Sequence, residues 1–424
     1  MKKGLLALVL LLSAVVLAAC GGEGVRGVKV VDGVTHIKVG NTASKTGAFG
    51  VVGVPFSAAI ESVFKEFNES QDKYQIEYVT LDDATDPAIG STNTKKLVEE
   101  EKIFALVGHV GTGTVGATLD YIIEENIPMV YAATGVNDLY FENSPKNPVF
   151  AVQPIYKTDG RLVYARVTNG LFFGAEKNEK LPANSKIGVL YTNDDAGKSI
   201  KAGIDVEVAL GNNAANVEFM AFEASNVDTI VAAMMAKNPE AIIVAGNQAP
   251  FNSALVALHD KGNEAPVFTS YVNTNAASIT NQAYNFDIYG QAWLDLSTTG
   301  GFADYQEFVA TMTAGGYGAD AGANNYTGNA FAMAGFVAAH VFLSGLENLG
   351  EEKLTVESFI DAMEAKPIPV KMGGTLDYSD GKRWGIGAMS LSKYVPGNAS
   401  ADPVVPASFV KVAEIQTLDE IKGN

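Results

Sequence analysis

Chemical potential in this chain is concentrated in the stretch FALVGHVGTGTVGATLDYIIEENIPMVYAATG, residues 104–135. An apolar run ends in Gly111, Thr112, Gly113 and Thr114, a helical pattern follows, and a second apolar run closes on Ala132, Ala133 and Thr134. A loop entering a helix presents unpaired backbone N–H groups and the positive end of the helix dipole, an arrangement that favours an anion. Thr112 and Thr114 add uncharged hydroxyl donors, which suit a carboxylate. The same residues could equally serve only to shape a turn and cap a helix.

Nucleotide chemistry is set aside. A P-loop needs lysine directly after its last glycine, and Gly113 is followed by Thr114 and Val115. Gly111, Gly113 and Gly116 have the G-x-G-x-x-G spacing, but that fingerprint belongs to the first strand of a domain and this loop follows a later one. Gly197-Lys198-Ser199 resembles the end of a P-loop, yet its first glycine would fall on Thr192. His36, His109, His259 and His340 lack metal-ligand spacing, no G-x-S-x-G elbow occurs, and no reactive cysteine is present. The pairs Asp82-Asp83 and Asp194-Asp195 follow expected strand ends, where open α/β sheets bind ligands, although solvated turns would carry the same residues. No enzyme activity, metal or other cofactor is expected.

The elements that must hold the loop read as alternating strands and helices. Strands are expected at 36–41, 74–81, 104–108 and 127–133, with helices from Pro55 onward, at 92–101 and at 115–125. The pattern restarts with helices at 159–171, 199–210, 227–237 and 252–261 and strands at 186–192, 217–222, 241–246 and 266–271. Such alternation predicts the α/β class with parallel sheets, arranged as two Rossmann-like lobes. The apolar stretch 327–349 reads as a buried helix rather than a membrane span, because Asn329, His340 and Ser344 interrupt it. Residues 374–394 read as two strands around a turn at Ser379-Asp380-Gly381-Lys382.

Residues 1–19 form a signal sequence, with Lys2 and Lys3 before an apolar core and Leu17-Ala18-Ala19 before Cys20, the only cysteine of 424 residues. This box looks like that of a bacterial lipoprotein, which implies lipidation of Cys20, an exported protein and a membrane tether over 20–35. Without Lys2 and Lys3 the chain keeps 28 basic against 48 acidic side chains, a balance that repels nucleic acid.

Taken in order, the lipoprotein box, the two α/β halves, GHVGTGT followed by IPMVYAATG, and LDYSDGKRWG near the end resemble the type I periplasmic binding proteins. The similarity is greatest to the branched-chain amino-acid (leucine/isoleucine/valine-binding) receptors of ABC importers, over about 36–412. It implies two lobes joined by a three-crossover hinge, with lobe 1 at 36–153 plus 293–378 and lobe 2 at 154–292 plus 379–424. It further implies a monomeric, lipid-anchored, extracytoplasmic protein that captures a small polar solute, an amino acid or related carboxylate or amide, and delivers it to the transmembrane subunits of a permease. A ligand-sensing receptor of the same fold is the alternative.

Carried onto this chain, the family's carboxylate grip falls on Thr112 and Gly113, with Ala132 and Thr134 on the next turn and Phe49 as a wall. Asn247, Tyr271, Asn273 and Tyr326 complete the implied ligand-binding set. The chain departs from the pattern at Ala196, where a tyrosine is usual, and at Val272 or Asn273, where the receptors carry a glutamate for the ligand ammonium. A buried ammonium without an anion is costly, so either Asp195 supplies the charge or the ligand is an amide, an organic acid or another polar carboxylate.

Overall fold

The computed structural model describes residues 24–47, 49–211, 216–296, 301–398, 400–401 and 404–423. The first lobe contains β1 (Val28–Val31), β2 (Val34–Ala43), α1 (Gly50–Ser70), β3 (Tyr74–Asp82), α2 (Pro87–Glu99), β4 (Ala105–Val110), α3 (Thr112–Glu124), β5 (Met129–Ala133) and β6 (Val149–Phe150). The second contains α4 (Tyr156–Asn169), β7 (Lys186–Thr192), α5 (Asp195–Ala209), β8 (Asn216–Phe222), α6 (Val227–Met235), β9 (Ala241–Ala245), α7 (Gln248–Asp260), β10 (Val267–Thr269) and β11 (Ile288–Ala292). The chain then returns to the first lobe as α8 (Phe302–Ala314), α9 (Ala330–Leu349), α10 (Val356–Glu364), β12 (Ile368–Pro369) and β13 (Thr375–Leu376). It ends on the second with β14 (Ala388–Val395), β15 (Ser408–Thr417) and α11 (Leu418–Lys422).

In the first sheet β2, β4, β5 and β6 run parallel in that order; β3 lies parallel on the other side of β2, and β1 pairs antiparallel with its start. The second sheet has the order β15-β14-β11-β10-β9-β7-β8, with β14 and β15 antiparallel. Every residue of β4 and β9 is buried, as expected of central parallel strands covered by helices on both faces. The long helix α9 packs beside α1: Phe64 meets Phe342 edge-on at 5.9 Å, and a Cβ at Gly335 would strike the Phe56 carbonyl. It is long and apolar enough to cross a membrane, but its buried face, including Phe336, Val337, Val341 and Phe342, covers the first sheet and α1. The two helices therefore run parallel and start at the same end of the lobe.

Three expectations need correction. The tether expected over 20–35 ends sooner, because Val28–Val31 pairs with β2, and Arg26 Nε donates to the Ile103 carbonyl at 3.0 Å. The second-lobe tail does not begin at 379. Residues 379–386 stay on the first lobe, where the fully buried Arg383 donates to the Asn147 carbonyl at 2.7 Å and pairs with Glu364, so the crossing falls near 387. The turn at 379–382 also joins no hairpin: β13 pairs with β12, while β14 belongs to the other sheet.

Helices begin earlier than sequence periodicity indicates. α1 starts five residues before Pro55, and Gly53 lets its first turn lie against the Ser44 carbonyl, where a Cβ would come within 2.0 Å. α3 starts at Thr112, α5 at Asp195 and α7 at Gln248. Periodicity registers the buried face of a helix, and first turns such as GVVG, TGTV and DAGK hold too few large apolar residues to mark one. The same shift turns the expected Gly/Thr loop at 112–114 into helix.

Candidate ligand cleft

Strand ends and helix starts of both lobes face one another across a cleft of about 930 Å³. The N-termini of α1, α3 and α9 open on it from the first lobe, and those of α5 and α7 from the second. This is the edge where parallel α/β sheets bind ligands, because each helix directs unsatisfied N–H groups there.

The Gly/Thr stretch lies at the centre. Gly111 caps α3 with φ 104°, a conformation natural to glycine, and makes no side-chain cap. Thr112, Gly113 and Thr114 supply the first turn, whose N–H groups have no acceptor within the helix. The Thr112 hydroxyl lies 2.8 Å from that of Thr134, which also accepts from the Val136 N–H at 3.2 Å. Gly116, the third glycine of the dinucleotide-like spacing, has open space where its Cβ would be, so no close helix–strand packing requires it there.

Asp83 organises the loops beneath. Its fully buried carboxylate accepts from the hydroxyls of Thr42 (3.1 Å), Ser44 (2.9 Å) and Thr114 (3.1 Å), and from the Thr85 N–H (2.9 Å). One acid thus ties the ends of β2 and β3 to the first turn of α3. His109, buried behind the loop, has Nε2 3.0 Å from the Thr118 hydroxyl; burial pushes its pKa down to about 3, so it is a neutral core residue.

Across the cleft floor the Tyr271 hydroxyl donates to the Pro154 carbonyl and accepts from Gln153 Nε2, both at 2.8 Å, and Gln153 Oε1 accepts from Tyr131 at 3.0 Å. Tyr156 lies beside Tyr271, with ring centres 6.1 Å apart. Burial raises the pKa of both tyrosines, and neighbouring charges add to the effect on Tyr271, so they stay neutral at physiological pH. Lys411 is the only cation lining the cleft among the described residues; it pairs with Glu414 at 2.7 Å and with Asp295 at 3.7 Å. Among the described residues no three of His, Cys, Asp and Glu gather as a metal site.

The expected site residues divide. Phe49, Thr112, Gly113, Asp195, Asn247 and Tyr271 line the cleft, and Thr134 lies immediately behind Thr112. Ala132 is a buried strand residue paired with His109, and Ala133 reaches the cleft in its place. Asn273 turns inward: its amide donates to the Gly246 carbonyl (2.9 Å) and the Thr269 hydroxyl (2.8 Å). Tyr326 is outside the cleft lining and stacks on Tyr317, with centroids 5.4 Å apart. Cys20 lies outside the described residues. Gln153, Tyr156, Trp293 and Phe331 line the cleft without having been singled out. Gln153 and Trp293 lie on the crossovers, Tyr156 opens α4 and Phe331 lies in the first turn of α9, positions that local periodicity does not mark.

Two lobes with parallel sheets, three chain crossings and a ligand-sized cleft between them define the type I periplasmic-binding-protein fold. The family model for periplasmic binding proteins matches residues 36–398, and the chain belongs to that family. A branched-chain amino acid ABC transporter protein from Thermus thermophilus, solved with bound valine, superposes with a TM-score of 0.70 at 16% identity, covering 92% of this chain and 100% of that one. A fatty acid ABC transporter substrate-binding protein from Thermomonospora curvata gives 0.70 at 17% identity, covering 93% and 96%. A solute-binding protein from Rhodopseudomonas palustris BisB5, in complex with 3,4-dihydroxy benzoic acid, gives 0.68 at 15% identity, covering 90% and 98%. No curated protein is similar enough to match. Three neighbours with different named solutes share this architecture, so the likeness is one of fold.

Proposed function

We propose that the protein is the lipid-anchored, extracytoplasmic substrate-binding component of an ABC importer. It captures a small carboxylate-bearing solute between its lobes and presents the closed form to the permease. The observation that carries this reading is the pair of hydroxyls of Thr112 and Thr134, 2.8 Å apart at the open N-terminus of α3, with Thr112 on the interlobe cleft and Thr134 directly behind it. Backbone N–H groups of Thr112 and Gly113 with these hydroxyls form a neutral clamp for one carboxylate. Phe49, Asn247 and Tyr271 bound the ligand, and Asp195 stands at the lip. Contacts from both lobes favour the closed state, because a ligand shifts a conformational equilibrium only by its differential affinity for the two states.

Calorimetric titration of the purified protein with small carboxylates and their amides tests the clamp. Acids should bind and their amides should not; equal binding of both would remove the clamp. Cys20→Ser should release the protein from membranes, and retention of that variant in the membrane fraction would refute the anchor.

A further inference from the structure

The class of ligand follows from three features of the cleft, given the reading above that a carboxylate sits at Thr112 and Thr134. The first is the local field. α1, α3 and α7 open on the cleft with neither a side-chain cap nor an acidic residue in the first turn. Their N–H groups attract an anion and repel a cation.

The second is where the carboxylates are. Asp194 caps α5, accepting from the Gly197 N–H at 2.9 Å and the Thr192 hydroxyl at 2.7 Å, and Asp295 pairs with Lys411. Asp83 and Asp159 are fully buried and absent from the cleft lining. Asp195 is exposed at the lip, where water screens it. Beside the clamp stand Tyr156 and Tyr271, both neutral, and the Tyr271 hydroxyl already gives its proton to Pro154. An ammonium on the carbon next to the bound carboxylate would leave water with no anion to meet it.

The third is a set of aromatic side chains on the remaining wall, among aliphatic ones such as Val52 and Met333. Phe49 and Phe331 are half-buried at the starts of α1 and α9, and Trp293 stands on a crossover, held from behind by the buried Tyr131 at 6.4 Å, which Phe56 meets edge-on at 5.6 Å. Flat rings pack on such surfaces in offset or edge-on contact. The cleft volume of about 930 Å³ is ample for an aryl group beyond the carboxylate.

We propose that the ligand is an aromatic monocarboxylate without an α-ammonium group. The clamp holds the carboxylate through neutral donors, and the ring lies against Phe49, Trp293 and Phe331.

Matched pairs test this on the purified full-length protein by calorimetry. The acids are phenylacetate and 3-phenylpropanoate; their α-amino counterparts are phenylglycine and phenylalanine. Leucine, 4-methylpentanoate and 3-phenylpropanamide complete the set. At least one aryl acid should bind ten times more tightly than its α-amino counterpart and than 4-methylpentanoate, and Phe331→Ala should weaken it at least fivefold. Equal or tighter binding of phenylalanine, phenylglycine or leucine overturns the exclusion of ammonium, and with it the proposal, while leaving the carboxylate clamp intact. Equal binding of 4-methylpentanoate overturns the aromatic assignment. Equal binding of the amide, or no binding by any compound, overturns the clamp itself and this inference with it.

Discussion

The hydroxyls of Thr112 and Thr134 meet at 2.8 Å although they lie 22 positions apart, one opening α3 and the other beginning the turn after β5. Parallel pairing of β4 with β5, in the register His109 to Ala132 and Val110 to Ala133, brings the two strand ends level and sets the hydroxyls side by side. A hydrogen bond to a charged group contributes roughly 1.5–3 kcal/mol. Thr134→Val should therefore weaken a bound carboxylate about tenfold to a hundredfold in calorimetry, with a much smaller change in the melting temperature of the free protein. Unchanged affinity would take Thr134 out of the site.

Asp83 acts one layer deeper. Asp83→Ala strands the hydroxyls of Thr42, Ser44 and Thr114 and the Thr85 N–H, all of which donate to it. Each unsatisfied buried group costs about 1–3 kcal/mol, with part recovered by water entering the gap. Urea denaturation should show a loss of at least ~3 kcal/mol, and ligand affinity should fall because Thr114 shares the first turn of α3 with Thr112. A variant of unchanged stability would show that these loops do not depend on Asp83.

Arg383 fixes the third crossover. Its guanidinium is fully buried, lies 4.5 Å from the centre of the Phe150 ring, and binds Glu364 and the Asn147 carbonyl. Removing one partner of a buried ion pair typically costs about 3–5 kcal/mol. Arg383→Met should lower stability by that order, and the double change Arg383→Met with Glu364→Leu should recover part of it. A double variant less stable than the single one would contradict the uncompensated-charge account.

Asp159 gives stability a distinctive pH dependence. Burial pushes its pKa up to about 7, while Gln291 Nε2 donates to Oδ1 at 3.2 Å. An unfolded aspartate titrates near ~3.9. Between those two values the folded state binds more protons, so this group's contribution to stability falls as pH rises from about 4 to about 7. Asp159→Asn removes the decline. Relative to the parent it should become more stable with rising pH, by up to ~4 kcal/mol between pH 4 and pH 8. Parallel stability curves for the two proteins would show that Asp159 does not titrate in this range.

The sequence alone determined the class of the fold. The runs at 104–110 and 241–245 are short, apolar and set between helical patterns, and the folded chain buries them as central parallel strands. Periodicity reports which face of an element is buried, and burial of central strands and amphipathic helices is a local property. The place of Thr112 at a strand-to-helix junction was legible in the same way, but an anion clamp and a helix cap use the same residues there.

Tertiary structure decided the rest. Asn273 and Tyr271 are two residues apart in one 3-10 turn, yet Tyr271 reaches the cleft and Asn273 faces the core; nothing local distinguishes them. The strand β15 alternates Val410 and Val412 outward with Phe409, Lys411 and Ala413 inward, so its apolar residues fall on both faces and mask its period. Gln153 and Trp293 enter the cleft because two crossovers pass beneath it. A cleft is made by loops that share an edge of two sheets, and which loops share it depends on strand order, a relation between residues hundreds of positions apart.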